Sequence, residues 1–396
     1  MMRSKIFHFI SIILIVFQIT ESNAQQNTEL LKSVLENNLT LRQVKLNAEY
    51  QSVGGYQGIA PQGLELEAGY FPGSGSVVKN TFNVTQRFDF PTIYKKQLDV
   101  ARANKDVKEI GVVQFQMNLM VQVQQTAIEY VYAKRSLDTL KIRLQDAENL
   151  LDAFTRMFDQ GDANRLEVNK IKLQLVTIKE MYRTTERKLN NLASQLVQLN
   201  GGKEVNFENI DYPADLLIDS VEYFSRLSEV DPNITYSKMN EQLMQNKLKV
   251  SKHQNLPGFL VGYGYEGTDN ERFSGVRFGL NIPLWQNAKK TETAKVGVLV
   301  SKQKTEAITS VIENELVQNY KSYNQLKQSL DSYRNTLDNL KSVGLLKKSL
   351  ELGHISLIEY LLELTYFYDA TDKLMKFEME KSKAIATLNR YKYLDI

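Results

Sequence analysis

The chain has 396 residues, 42% of them hydrophobic, with 49 lysines and arginines against 46 acidic residues and no cysteine. The lack of cysteine excludes disulfides, thiolate metal sites and lipid attachment at an N-terminal cysteine. A charge balance this close to neutral gives no reason to place nucleic acid among the partners.

Residues 1–24 have the layout of a secretory signal peptide. Arg3 and Lys5 precede an apolar run from Ile6 to Ile19, and Ser22-Asn23-Ala24 stands before Gln25. The run is shorter than the ~20 residues a spanning helix needs, so the mature chain is expected to begin at Gln25. No other apolar run reaches spanning length, and no transmembrane helix is expected. A first repeat then runs from 25 to 200, opening with a helix over Thr28–Val53.

A β-hairpin is predicted over 64–90. Leu64, Leu66, Ala68 and Tyr70 alternate with Glu65, Glu67 and Gly69; a turn at Pro72–Ser76 follows; Phe82, Val84, Phe88 and Phe90 alternate with Asn83, Thr85, Arg87 and Asp89. Beyond it the prolines stop. All seven avoid two intervals, Thr92–Tyr212 and Leu284–Ile396. Within the first, Leu137, Leu140, Leu144, Ala147, Leu151, Phe154 and Phe158 recur at alternating steps of three and four, the heptad pattern of helices packed as coiled coil. An ordinary helix burying one stripe would show the same steps. Length decides against it, because Thr92–Phe158 as helix is ~100 Å long at ~1.5 Å per residue. The helix turns at Gly161 and returns over Leu166–Asn200. Gly201–Phe224, with Gly-Gly and Asp-Tyr-Pro, reads as a connection between halves.

The second repeat, 225–396, has the same order. A hairpin over 259–285 sets Phe259, Val261, Tyr263 and Tyr265, then Val276, Phe278, Leu280 and Ile282, on one face, with a Gly267–Arg272 loop between. A long helix with Tyr323, Leu326, Leu330, Tyr333, Leu337 and Leu340 at heptad steps leads to a turn at Gly353. Lys383–Ile396 is helical in pattern. Landmarks recur 192 residues apart: Phe88–Pro91 with Leu280–Pro283, Phe158–Gly161 with Leu350–Gly353, and Leu166-Glu167 with Ile358-Glu359. A fixed interval between paired landmarks implies one unit built twice.

Two environments suit the strands. Their apolar faces could pack together as a soluble sandwich, or each run of about 8–10 residues could cross a membrane at a tilt, with Tyr70, Phe71, Phe90, Tyr94, Phe259, Phe273 and Trp285 as aromatic girdles. The signal sequence and the rod-length helices favour lipid. Four strands in lipid leave two open edges, where each unpaired backbone group costs several kcal/mol, so the edges must close on copies of the same chain.

With these features the chain resembles the TolC family of outer-membrane efflux channels over essentially its whole mature length. The carriers are the two-fold repeat, the hairpin ends Phe88-Asp89-Phe90-Pro91 and Asn281-Ile282-Pro283-Leu284-Trp285, and the glycine tips Phe158–Ala163 and Leu350–Glu359. The hairpin ends look most like the branch serving heavy-metal and cation exporters. The resemblance implies a mainly α chain with a small β part: two long coiled-coil helical hairpins plus four transmembrane strands. It also implies a homotrimer whose 12-stranded β-barrel joins an α-helical barrel, with paired shorter helices stacked end to end beside each long one. As function it implies a passive exit duct in the outer membrane of a Gram-negative bacterium, served by a periplasmic adaptor and an inner-membrane RND pump.

The tips carry the candidate site. Gly161 and Gly353 suit a left-handed C-terminal cap, and Asp162 and Ser356 can accept hydrogen bonds from the next helix's first amides. By resemblance, Gly161, Asp162, Gly353, His354 and Ser356 meet the adaptor, while Glu167 and Glu359 line an entrance constriction that favours cations. The plainer alternative makes those acids exposed helix-face glutamates, with Lys170 or Arg165 beside Glu167. A second carboxylate that some members carry three residues later is here Lys170 and Leu362, and Ile355 takes a position that is sometimes basic. The closed-state network of those members is therefore not carried over. Past the signal only His253 and His354 remain, which gives no metal-ligand cluster, and no cofactor or catalytic constellation is expected. A type I secretion duct would share the fold. A periplasmic adaptor would carry one helical hairpin among β-rich domains instead of two.

Overall fold

A computed structural model describes residues 27–74, 78–216, 220–340 and 342–394. The expected signal peptide lies outside the described residues, as does part of the first hairpin's turn. The elements in order are α1 (Thr28–Asn37), α2 (Leu39–Gly54), β1 (Glu65–Pro72), β2 (Val78–Phe88), α3 (Pro91–Gln160), α4 (Arg165–Leu199), α5 (Val221–Arg226), α6 (Pro232–His253), β3 (Gly258–Gly267), β4 (Arg272–Asn281), α7 (Ala288–Leu340), α8 (Ser342–Glu351) and α9 (Leu357–Leu388). Short 3-10 turns occupy Leu227–Val230 and Arg390–Leu394. The chain is mainly helical with one small sheet. Among the described residues no helix is long and apolar enough to cross a membrane.

α3 is a single helix of 70 residues, about 105 Å at ~1.5 Å per residue. Pro91 opens it in the first turn, where the backbone N–H groups have no partner within the helix. The heptad reading holds along its later part. Leu140, Ala147 and Phe154, seven apart, are buried, whereas Leu137, Leu144 and Leu151 are half-buried. On α7, Tyr323 and Leu330 are buried at the same interval.

The helix predicted over Thr28–Val53 is instead two helices. Asn38 adopts an extended conformation between them (φ −63°, ψ 116°), and its Nδ2 donates to the Leu199 carbonyl at 2.7 Å. Ser33 Oγ and Asn37 Nδ2 both donate to Asn200 Oδ1, at 2.8 and 3.3 Å. A side chain able to bond the backbone offers it an alternative to the helical ladder, which is why the break falls at asparagine. Gly201 (φ +68°) lies so close that an added Cβ would stand 2.2 Å from the Asn37 carbonyl oxygen.

The described chain forms two compact units. One comprises residues 40–115 and 226–314 and contains the sheet. Its helices are tied by polar contacts: Gln114 Nε2 donates to Asn233 Oδ1 at 2.9 Å, Asn287 Nδ2 donates to the Gln254 carbonyl at 2.7 Å, and Ser251 Oγ lies 3.0 Å from Thr291 Oγ1. Asp231 caps α6 by accepting from the Asn233 amide at 2.7 Å, with Pro232 at the first helical position. The other unit takes residues up to 39, 116–225 and from 315 onward. Its interior is built on Met117, Met120, Ile128, Leu196, Leu316, Ile385 and Leu388.

The two hairpins join into one antiparallel sheet of order β1-β2-β3-β4, with β2 paired to β3 from Asn80↔Gly267 to Phe88↔Phe259. Phe90, Ile282 and Trp285, expected at strand ends, fall just beyond them. The registers place Leu66, Ala68, Tyr70, Phe82, Val84, Phe88, Phe259, Val261, Tyr263, Val276, Phe278 and Leu280 on one face. That face is uncovered, with Val276 at 70% and Phe278 at 77% exposure. Hairpins side by side cannot bury each other's apolar faces, so the sandwich alternative does not hold within this chain.

Candidate functional site

Each helical hairpin ends in the same construction. At the end of α3 the Asp162 amide donates to the Met157 carbonyl (2.8 Å) and the Gly161 amide to the Phe158 carbonyl (3.1 Å). At the end of α8 the His354 amide donates to Ser349 (2.8 Å) and the Gly353 amide to Leu350 (3.0 Å). These nested pairs are Schellman motifs, which require a left-handed residue between them. Gly161 and Gly353 supply it, at φ +85° and +71°. A Cβ would meet open space at either glycine, so the demand is conformational rather than steric.

Three residues beyond each glycine the next helix begins with a capping box. Asn164 Oδ1 accepts from the Leu166 and Glu167 amides at 2.9 and 3.0 Å, and Glu167 Oε2 accepts from the Asn164 amide at 2.8 Å. In the second tip Ser356 Oγ accepts from the Glu359 amide at 3.3 Å and donates to Glu359 Oε2 at 2.9 Å. The same oxygen accepts from the Ser356 amide at 2.8 Å. Ser356 is therefore the expected cap, but Asp162 is not. Its amide closes the Schellman motif, and the cap falls two residues later on Asn164. The signal was legible: Asn164-x-x-Glu167 and Ser356-x-x-Glu359 both spell a capping box.

Glu167 and Glu359 are thus turned back onto their own helix starts, half-buried and exposed respectively. Among the described residues no ion pair joins Glu167 to Lys170 or Arg165. Bonds from the Ser356 amide and hydroxyl hold the Glu359 carboxyl below the ordinary carboxylate range, against a smaller opposing effect of desolvation.

The two tips share one apolar cluster of Phe154, Val168, Ile171, Leu357, Tyr360 and Leu364, with Ala163 and Ile355 packed at its border. Val168 and Tyr360 each stand one residue past a capping glutamate, so burying them fixes both acids relative to the cluster. Outside it, Leu166 (72% exposed), Ile358 (57%) and Leu352 (59%) present apolar side chains to solvent beside the turns. Exposed large apolar groups clustered at a tip suit a contact surface, a feature the sequence reading did not single out.

Behind the tips lies a buried charge. Arg143 on α3 donates to both carboxylate oxygens of Asp372 on α9, at 2.9 and 2.7 Å, and its guanidinium stands 4.1 Å from the Tyr368 ring centroid. Burial, more than the charge of Asp146, pushes the Tyr368 hydroxyl up to about 12. Tyr368 in turn packs on the tip cluster.

No family model matches the sequence, and no curated protein matches it. Solved structures do. The outer-membrane channel OprN is 14% identical over 92% of this chain and 89% of its own, with a TM-score of 0.78. The outer-membrane protein VceC of Vibrio cholerae is 11% identical over 94% and 97%, with a TM-score of 0.75. CusC, described for its folding and transmembrane channel formation, is 14% identical over 96% and 95%, with a TM-score of 0.74. Identities this low leave the shared backbone architecture as the finding, and the chain has the TolC-type fold of these outer-membrane channels.

Proposed function

We propose that the chain is the outer-membrane exit duct of a tripartite efflux system in a Gram-negative bacterium, working as a homotrimer. One observation carries the reading: a four-stranded sheet has an uncovered apolar face and its two outer strands, β1 and β4, lack a further partner within the described sheet. In lipid an open edge is untenable, since each unpaired N–H or C=O costs several kcal/mol. Three copies pairing β1 to β4 give twelve strands, above the minimum of about eight for a membrane barrel. The apolar face then meets lipid and the polar face lines the lumen. The fold shared with outer-membrane channels supports the same reading.

The duct is passive, and the driving energy comes from an inner-membrane RND pump. A periplasmic adaptor docks on the tips around Gly161, Asp162, Gly353, His354 and Ser356. Glu167 and Glu359 give the entrance its negative field, and the cargo is a drug or a metal cation. Membrane extraction tests the reading. The protein should leave the outer membrane only with detergent, migrate as a trimer when unheated and as a monomer after boiling, and conduct ions in planar bilayers. A detergent-independent, stable monomer would overturn it.

A further inference from the structure

The polar face of the sheet carries three carboxylates, Glu65, Glu67 and Glu266, and three cations, Lys79, Arg87 and Arg277. They are grouped. Near the helix-bearing ends of the strands Arg87 pairs with Glu65 at 3.2 Å, and Glu67 beside it accepts from Asn83 Nδ2 at 3.5 Å, so one cation stands with two acids. Near the loop that joins β3 to β4 the balance is reversed. Lys79 Nζ lies 2.9 Å from one oxygen of Glu266, and Arg277 Nη2 lies 3.7 Å from the other. One carboxylate thus lies between two cations from the strands on either side of it.

Glycine makes this geometry possible. A Cβ on Gly264 would stand 2.7 Å from Arg277 Nε and 2.9 Å from its Cζ. The guanidinium therefore lies flat along the sheet over Gly264 instead of projecting from it. An arginine on a strand stands away from the sheet by default, so its flat placement requires both an empty site beneath and a charge beyond.

We infer that Glu266 is a positioning residue for the duct's outer mouth: it holds Lys79 and Arg277 against the wall and keeps their charge out of the ion path. The inference rests on the reading that this face lines a lumen. Without the Glu266 charge, both cations stand free in each protomer. Repeated threefold, they form a positive ring that favours anions.

Planar-bilayer recording of the purified detergent-extracted protein, under a potassium chloride gradient near 0.1 M, tests this. Glu266→Gln should move the reversal potential toward chloride relative to wild type. The double variant Glu266→Gln with Arg277→Gln should move it back. Gly264→Ala, which displaces Arg277 while leaving every charge in place, should shift it in the chloride direction. All these shifts should fade near 1 M salt, where the Debye length falls from about 10 Å to about 3 Å, whereas a change of pore shape would persist. A Glu266→Gln reversal potential equal to wild type at low salt, or a shift undiminished in 1 M salt, overturns the inference. Absence of any conductance from wild type overturns the duct reading, and the inference with it.

Discussion

Gly161 and Gly353 hold the left-handed conformation on which the tip turns depend. A β-branched residue held at φ near +80° costs about 1–3 kcal/mol, and no neighbour gains contact in return. Gly161→Val or Gly353→Val should therefore distort the turn locally and impair export while unheated trimers persist on gels. Unchanged export would remove the tips from adaptor docking. The two capping glutamates separate structure from electrostatics, because glutamine also completes a capping box. Glu167→Gln with Glu359→Gln should leave the fold intact yet reduce cation selectivity, read as a reversal-potential shift; an unaltered potential would take both acids out of the pore. The Glu359 carboxyl has its folded pKa lowered, so its contribution is present above the ordinary carboxylate value near ~4.3 and is lost as pH falls through the folded pKa. Hydrogen-exchange protection at the start of α9 should decline as pH falls below the ordinary carboxylate range in wild type, and Glu359→Gln should abolish that pH dependence. Asp162 was misplaced as a cap because a Schellman motif needs a residue beyond its glycine before another helix can start. The side chain of Asp162 is an acceptor suited to a cap, but its backbone amide does the bonding here.

Helices were the most legible part of the sequence, since a heptad spacing is written locally. Leu140, Ala147 and Phe154 are buried as their interval requires. The break at Asn38 was not legible, because it depends on the Leu199 carbonyl, far away in the chain. Nor was the Arg143–Asp372 pair, whose members are 229 positions apart. That pair is asymmetric: the Arg143 side chain is 5% exposed and the Asp372 side chain 38%. Asp372→Asn leaves a buried guanidinium without its counter-charge and should cost about 3 kcal/mol or more. Arg143→Met leaves a carboxylate that water already reaches and should cost distinctly less. Thermal unfolding of the detergent-solubilised variants by circular dichroism checks the order. If Arg143→Met proves the more damaging, the pair matters through the arginine's packing on Tyr368 instead of its charge.

At the scale of the whole molecule, the decisive feature is which face of the sheet is apolar. Alternation along each strand gave that from sequence. The β2–β3 pairing, which makes two hairpins one sheet, was not readable, because a period of two fixes a strand's faces and not its neighbours. Joined this way, the strands present one continuous apolar surface from Leu66 to Leu280 that nothing in the described chain covers. Lipid or another protein must cover it, and the two predict different things. Phe278 and Gly275 lie on the same strand but on opposite faces. Placing lysine at Phe278 puts a charge in the hydrocarbon and should cost about 2–4 kcal/mol near the bilayer midplane. If the polar face lines a lumen, Gly275→Lys enters water, and a Cβ there meets open space. Phe278→Lys should therefore sharply reduce heat-labile trimer in outer-membrane fractions, whereas Gly275→Lys should assemble near wild-type levels. Equal assembly of both variants would mean that the apolar face does not meet lipid.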